Sequence, residues 1–101
     1  MNKKEIRDEF RKQVFERDKN KCVMCSKGKC ELDAHHITDR HDMPFGGYVK
    51  ENGISLCSDC HILAENYLNY IEEAEKYSPT FLYQLISSNK ELAYKKSFNL
   101  K

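Results

Sequence analysis

The sequence predicts a small α+β domain in which two short strands and one helix form the centre and further helices flank them. Three observations support this prediction. A helical apolar period runs over about residues 3–17, two short apolar runs enclose a glycine-containing loop, and two cysteine pairs of identical spacing bracket that region. With 101 residues and no linker rich in proline, glycine or serine, we expect one domain over residues 1–101.

The first element is a helix over about residues 3–17. Asn2 can cap this helix, and Glu5 stands at its third position, as in a reciprocal capping arrangement. Apolar residues recur every four positions along one face: Ile6, Phe10 and Val14. This face is expected to pack on the rest of the domain.

Two short strands follow, separated by a long loop. Residues 30–37 have the composition of a strand that carries His35 and His36 near its end. Residues 38–53 contain one proline and three glycines, so they cannot be regular throughout, and a loop of this length suggests a functional role. Residues 54–56 can form the second strand.

The C-terminal part, residues 68–101, is expected to be helical support. Ser58 can cap a helix that ends near Tyr77 and carries one apolar stripe. The stripe consists of Ile62, Leu63, Tyr67, Leu68, Ile71 and Ala74. Pro79 after Ser78 suits the first turn of another helix, and residues 88–91 form a capping box for a last one.

The charge is unevenly distributed along the chain. Residues 1–30 carry ten Lys and Arg against five acids, whereas residues 31–80 carry three against ten. The basic third is compatible with a surface that faces phosphate, although charge alone favours the simpler interpretation, that these residues form solvated helix faces. No apolar run resembles a signal peptide or a membrane span, so we expect a cytoplasmic protein that does not contact membrane.

Four of the five cysteines form two pairs, Cys22 with Cys25 and Cys57 with Cys60, each with a gap of two residues. Thiols do not persist as disulfides in a reducing compartment, and two such pairs offer the four thiolates that Zn²⁺ prefers. The spacing therefore predicts a structural Zn(Cys)₄ site. Cys30 is left over as a packing residue, although it could replace Cys25 as a ligand.

Histidines and one carboxylate form a second group. His35 and His36 are adjacent on a strand, so their side chains are expected on opposite faces and can do different work. His61 follows the last cysteine, and Glu65 lies one helical turn later on the same face, which suits two ligands of one metal ion. A strand, loop, strand and helix would bring this face against His35.

Together these segments resemble the HNH nuclease motif. The resemblance rests on Leu-Asp-Ala-His-His-Ile at 32–37, on Gly-Gly at 46–47, on Glu-Asn-Gly at 51–53 and on Leu-Cys-Ser-Asp-Cys-His at 56–61. It covers about residues 15–67, and it is specific because several elements occur in the family's order and spacing. Many members of the family also carry the same two cysteine knuckles.

The resemblance implies a ββα-metal (His-Me finger) fold and a metal-dependent endonuclease that cuts DNA, leaving 5′-phosphate and 3′-hydroxyl ends. It implies His36 as general base, Asn52 as the middle catalytic residue that braces the loop or the base, and His35 and His61 as ligands of a catalytic divalent cation. Glu65 stands where some members have another histidine. A carboxylate there favours Mg²⁺ or Mn²⁺, whereas an imidazole would favour Zn²⁺ or Ni²⁺.

Several alternatives stay open. Arg40 and Lys50 could contact phosphate, Tyr48 could stack on substrate or pack, and His41 could contact substrate or only solvent. A non-catalytic zinc-stabilised DNA-binding module, or a knuckle that binds protein, would use the same cysteines. Cutting two strands would need a homodimer or two successive nicks. Small proteins resembling this family occur in bacteriophages and bacteria, so phage or restriction proteins are further candidate partners.

Overall fold

The computed structural model describes residues 2–26, 28, 30–66 and 75–100. This part of the chain contains α1 (Lys3–Arg17), β1 (Leu32–His36), β2 (Gly53–Cys57), α2 (Ser58–Glu65), α3 (Pro79–Leu85) and α4 (Lys90–Ser97). β1 and β2 pair as a two-stranded antiparallel sheet. The small α+β architecture with helices around a hairpin is therefore confirmed.

Helix α1 has the bounds that the sequence predicts. The Asn2 side chain accepts a hydrogen bond from the backbone N–H of Glu5, and the Glu5 side chain accepts one from the N–H of Asn2. Phe10 and Val14 are buried. They pack so closely on the start of β2 that a Cβ atom at Gly53 would lie 2.5 Å from Val14 Cγ2, so this position requires glycine.

The end of α1 is fastened to β2 by two charged side chains. Arg17 donates hydrogen bonds to the carbonyl oxygens of Lys50 and Gly53. Asp18 accepts one from the backbone N–H of Ser55 at 2.9 Å, and it also pairs with Arg17. These contacts fix the position of the first helix over the hairpin, which matters because α1 forms one wall of the cleft described below.

In the hairpin, β1 is shorter and β2 is longer than the sequence predicts. β1 begins at Leu32 rather than at residue 30, whereas β2 extends from Gly53 to Cys57. The register pairs Leu32 with Cys57 at one end and His36 with Gly53 at the other. Every residue of β2 is buried, because helices cover both of its faces.

Residues 37–52 connect the strands through three short 3₁₀ turns, Arg40–Asp42, Pro44–Gly47 and Lys50–Asn52. The prediction that this segment is not regular throughout is confirmed. Phe45 within it has a φ of 54°, in the left-handed region that bulky residues rarely adopt.

Helix α2 ends much earlier than predicted. It covers Ser58–Glu65, and its N-cap is Cys57 rather than Ser58. Asn66 is its C-cap, with a φ of −117°, and both its backbone N–H and its side-chain Nδ2 donate to the carbonyl oxygen of Ile62. One uninterrupted helix to Tyr77 is thus wrong, and Glu75–Tyr77 form a 3₁₀ turn. The stripe residues Tyr67, Leu68, Ile71 and Ala74 lie outside the described residues.

Helices α3 and α4 follow as expected, with one change of cap. Ser78 accepts a hydrogen bond from the N–H of Phe81, and Pro79 occupies the first turn of α3. Asn89, not Ser88, caps α4. The Ser88 hydroxyl is instead engaged with the carbonyl oxygen of Glu51 at 2.8 Å, which ties the start of α4 to the loop before β2.

The main core lies between β2, α2 and the C-terminal helices. Its fully buried side chains include Ile54, Leu56, Leu82 and Ala93. Across the described ranges, no helix is long and apolar enough to cross a membrane.

Candidate functional site

The four predicted cysteine ligands meet in one group. Cys22 and Cys25 come from the turn after α1, Cys57 ends β2 and Cys60 lies in the first turn of α2. Their sulfur atoms all lie within 4.8 Å of one another, and the Sγ atoms of Cys25 and Cys57 are 3.6 Å apart. A tetrahedral ion with Zn–S bonds of about 2.3 Å separates its sulfur ligands by about 3.8 Å. The cluster could therefore hold a metal ion such as zinc.

The electrostatics of this group also fit a cation. Burial raises the pKa of Cys22, but hydrogen bonds from the backbone of Cys57 and Cys25 outweigh it and lower the pKa to about 7. Burial and the neighbouring thiols raise the pKa of Cys60. Four thiolates this close repel one another, so they can be ionised together only around a positive ion. Cys30 is not part of the group.

A second group of possible ligands forms on the other side of α2. His35 of β1, His61 in the first turn of α2 and Glu65 one turn later each offer one ligand atom within 4.8 Å of the others. The Nε2 atom of His61 lies 3.1 Å from Glu65 Oε1, and the imidazoles of His35 and His61 meet edge to face at 5.1 Å. One nitrogen from each imidazole and a carboxylate oxygen suit a divalent cation with further open positions.

His35 is held in the form that a metal requires. Burial, followed by the charges of His61 and His36, lowers the pKa of His35 to about 4. At neutral pH its imidazole is therefore uncharged and has a nitrogen lone pair free to bind an ion. Glu65 is exposed and His61 is only partly buried, whereas Cys25 is the single exposed residue of the four cysteines, so the histidine group is more open to solvent.

Asp33 is a member of this site that the sequence analysis did not single out. Its Oδ2 atom lies 3.0 Å from Nδ1 of His61, while the Nε2 atom of the same ring faces Glu65. A carboxylate on one ring nitrogen fixes the imidazole's tautomer and presents its other nitrogen as a ligand. The sequence does contain a pattern that places Asp33 near this site. Side chains alternate between the two faces of a strand, so Asp33 and His35, which are two residues apart, share a face of β1.

His36 points away from this group, as adjacent residues on a strand do. Its imidazole stacks on Phe10 of α1 at 4.6 Å and meets the Tyr48 ring edge to face at 4.8 Å. Burial, with a smaller contribution from the positive charge of Arg40, lowers the pKa of His36 to about 4. Its Nε2 atom is buried without a hydrogen-bond partner among the described residues, so only Nδ1 can serve a molecule in the cleft.

Asn52 is fully buried at the base of the loop. Its side-chain oxygen accepts from the N–H of Thr38 at 3.0 Å and from the Tyr83 hydroxyl at 2.7 Å, and its Nδ2 donates to the carbonyl oxygens of Thr38 and Gly47. These bonds join the two ends of the loop to each other and to α3. Of the two roles left open for Asn52, they match bracing of the loop.

His35 and His61 line the same cleft as His36. This cleft has a volume of about 1170 Å³ and lies between α1, the hairpin, α2 and the start of α3. Arg7, Arg11 and Arg40 lie on its wall, whereas Lys50 does not line it. Arg40 donates to the Tyr48 hydroxyl at 3.2 Å. Burial raises the pKa of Tyr48, but hydrogen bonds from Arg40 and Arg7 bring it below its usual value. Arg7 and Arg40 thus place positive charge beside His36, while Asp39 and Asp42 also line the cleft.

The sequence analysis did not identify three residues in or near the cleft. Arg7 lines it, Asp33 contacts His61, and the Tyr83 hydroxyl contacts Asn52. Arg7 carried a weak signal, since it belongs to the basic first third and is next to the buried stripe of α1. Tyr83 carried none, because its partners lie 31 and 45 positions away in the chain.

Comparison of the chain with models of protein families, with curated proteins and with solved structures found no match.

Proposed function

We propose that this protein is a metal-dependent DNA endonuclease with a ββα-metal core formed by β1, β2 and α2. The observation that carries the proposal is that one cleft contains imidazoles with two different surroundings. His35 and His61 group with Glu65 at distances that suit one divalent cation, while the neighbouring His36 stays outside that group as an uncharged base. A protein that only bound DNA would need neither.

The residues divide the work as follows. His35, His61 and Glu65 would hold the cation, and Asp33 would orient His61 through its Nδ1 atom. A divalent cation at this position supplies positive charge to the phosphate and to the leaving oxygen. A carboxylate among the ligands favours Mg²⁺ or Mn²⁺ over softer ions. The cysteine group would hold a separate, structural zinc ion.

His36 acts as the general base. Its Nδ1 takes a proton from a water molecule, whose oxygen forms a bond to phosphorus while the bond from phosphorus to the 3′ oxygen breaks. Solvent supplies the proton that the 3′ oxygen needs, so the products are a 5′-phosphate and a 3′-hydroxyl end. Phe10 stacks on one face of the imidazole, and the Tyr48 ring meets both the imidazole and Phe10 edge to face, so the three rings pack together and fix the orientation of His36.

Asn52 supports this arrangement from below and does not touch substrate. Its hydrogen bonds fix Thr38, two residues after His36, and Gly47, next to Tyr48. Arg7 and Arg40 bind the phosphates of DNA beside the base, since neither forms an ion pair with a carboxylate in the described part of the chain.

The test is cleavage of supercoiled plasmid by zinc-loaded protein with Mg²⁺, Mn²⁺, Ni²⁺ or Zn²⁺ added in turn. We expect nicking or linearisation that depends on the added ion and falls by about 10²- to 10⁴-fold in His36→Asn, the range of a lost general base. His36→Asn keeps most of the side-chain volume between Phe10 and Tyr48, and its melting curve and zinc content serve as folding controls. Full activity in this variant would remove His36 from the mechanism.

A non-catalytic DNA-binding module is the second candidate, and the arginines of α1 on the cleft wall favour it. It predicts that the folded, zinc-loaded protein binds DNA but cuts nothing with any of the four ions. Ion-dependent cutting by wild type would exclude this candidate.

A further inference from the structure

A narrower groove leaves the cleft between α1 and the loop. We call it the arginine groove, and its main lining side chains are Lys3 and Arg7 of α1 with Arg40, Phe45 and Tyr48 of the loop. It has a volume of about 340 Å³, which is in the range of sites that hold a small ligand. Arg7, Arg40 and Tyr48 line both the groove and the cleft, so the two are continuous beside His36.

The cations of this groove lack the ion pairs that neighbouring cations have. On α1 itself, Lys4 and Arg11 both pair with Asp8, at 3.2 Å and 2.6 Å. In the ranges that the structure describes, no carboxylate lies within ion-pair distance of Lys3, Arg7 or Arg40. Two guanidinium groups that converge on one phenol leave donors for an anion, and a phosphate matches their geometry.

An exposed aromatic ring stands at the other side of the groove. Phe45 is 54% exposed, although a ring of this size normally buries itself. Its φ of 54° lies in the left-handed region that residues other than glycine rarely adopt. One edge of the ring meets Phe98, with 6.5 Å between the ring centroids, and more than half of the residue remains exposed. In grooves that carry positive charge, such rings stack on nucleic-acid bases.

We propose that the arginine groove binds an unpaired nucleotide of the DNA strand next to the cut phosphate, with its phosphate on Arg7 and Arg40 and its base against Phe45. This inference rests on the proposed nuclease function and names its substrate more narrowly. Bases within a duplex are stacked on both faces, so only an unpaired base can offer a face to the ring. The preferred substrate is therefore DNA with a single-stranded segment.

The test measures binding of a fluorescein-labelled single-stranded oligonucleotide, and of its duplex, by fluorescence anisotropy. The full zinc-loaded chain is used without an added divalent cation, so that no cutting occurs. We expect tighter binding of the single strand than of the duplex. Phe45→Gly removes the ring and suits the left-handed backbone, so it should fold normally and weaken single-strand binding by about 5- to 150-fold, the range for lost base stacking.

Arg7→Gln should weaken the binding of both the single strand and the duplex. It should also lower the slope of log affinity against log salt concentration by about one, as expected for one lost phosphate contact. Two control variants lie outside the groove. Phe81→Ala removes a ring that is 38% exposed, and Lys12→Gln removes an exposed positive charge from the same helix as Arg7. Phe81→Ala should bind the single strand like wild type, and Lys12→Gln should leave the salt slope unchanged.

The outcomes separate this inference from the nuclease proposal, because plasmid cleavage is measured on the same preparations. If Phe45→Gly binds the single strand as well as wild type does, or if the duplex binds more tightly, the groove inference is wrong whether or not the plasmid is cut. If Phe45→Gly loses single-strand binding while no ion supports cutting, the groove inference holds and the nuclease proposal fails. An oligonucleotide that does not bind at all would overturn the groove inference.

Discussion

The cysteine group and the histidine group lie at opposite ends of one hairpin and differ in their access to solvent. Cys57 ends β2 opposite Leu32, whereas His35 and His36 lie at the other end, opposite Ile54 and Gly53. Three of the four cysteines are buried, while the histidine group includes an exposed carboxylate and lines the cleft. Helix α2 serves both groups, since its neighbouring residues Cys60 and His61 belong to different ones.

Because of this difference, we expect the cysteine group to stabilise the fold and the histidine group to carry out chemistry. A metal ion enclosed by four thiolates has no coordination position left for substrate, so the cysteine group can only hold the chain together. In the proposed function, the histidine group would provide three ligands on one side of a cation and leave its other positions open to the cleft. The same hairpin would then carry a closed site that fixes the positions of β2 and α2, and an open site that depends on those positions.

The largest effect is expected when one cysteine of the group is replaced. Cys57→Ser should lose the zinc ion and the cooperative melting transition, because the core of a domain this small supplies only about 3–5 kcal/mol and depends on the metal. Metal analysis and circular dichroism during heating measure both. Cys30→Ser is the matched control, since Cys30 lies outside the group, and it should keep its zinc. A Cys57→Ser protein that melts like wild type would deny the cysteine group its structural role.

The next largest effect is expected from the open group. His61→Ala should weaken Mn²⁺ binding in the cleft by more than about 100-fold, beyond the range of a residue that only orients a ligand, while the bound zinc and the melting temperature stay near the wild-type values. Electron paramagnetic resonance of free Mn²⁺ measures this affinity in the zinc-loaded protein. Glu65→Gln tests the carboxylate in the same way. Unchanged Mn²⁺ affinity in both variants would mean that the group does not hold a cation.

A smaller effect is expected at Asp33, which touches the open group only through His61. Asp33→Ala should weaken Mn²⁺ binding by about 10- to 100-fold, the usual cost of losing a carboxylate that orients an imidazole ligand. Asp33→Asn should restore part of the affinity, because its amide oxygen can still accept from Nδ1 of His61. Glu31→Gln is the charge control, since Glu31 is exposed just before β1. An equal loss in Glu31→Gln would show that net charge, not orientation, sets the affinity.

Local sequence patterns predicted the ligand-bearing elements well. The helix over residues 3–17, the four cysteines and the grouping of His35, His61 and Glu65 all follow from spacing along the chain. Spacing succeeds there because a strand and a helix fix which side chains share a face. It failed at the end of α2, where the apolar period predicts a helix to Tyr77 but Asn66 leaves the helical backbone conformation.

Contacts between distant segments could not be predicted in the same way. Arg17 reaches Gly53 across 36 positions, and Ser88 takes a partner in Glu51 instead of capping α4. Such contacts depend on how the elements pack, and no local pattern encodes them. Asn52 illustrates the limit, because its motif position was evident from the sequence while its partner Tyr83 was not.

The smallest effect is expected at that partner. Tyr83→Phe removes the hydroxyl that lies 2.7 Å from Asn52 Oδ1 and 2.6 Å from the Thr38 hydroxyl. Asn52 keeps its bonds to the backbone of Thr38 and Gly47, so the free energy of unfolding should fall by only about 0.5–1.5 kcal/mol, the net contribution of one hydrogen bond. Urea denaturation measures it, with Tyr94→Phe as control, because Tyr94 is exposed and should tolerate the change. Mn²⁺ affinity should stay constant, since Tyr83 supports the loop and not the ligands. A loss of Mn²⁺ binding in Tyr83→Phe would instead mean that the loop and the open group are mechanically coupled, and the separation of the two ends of the hairpin would have to be abandoned.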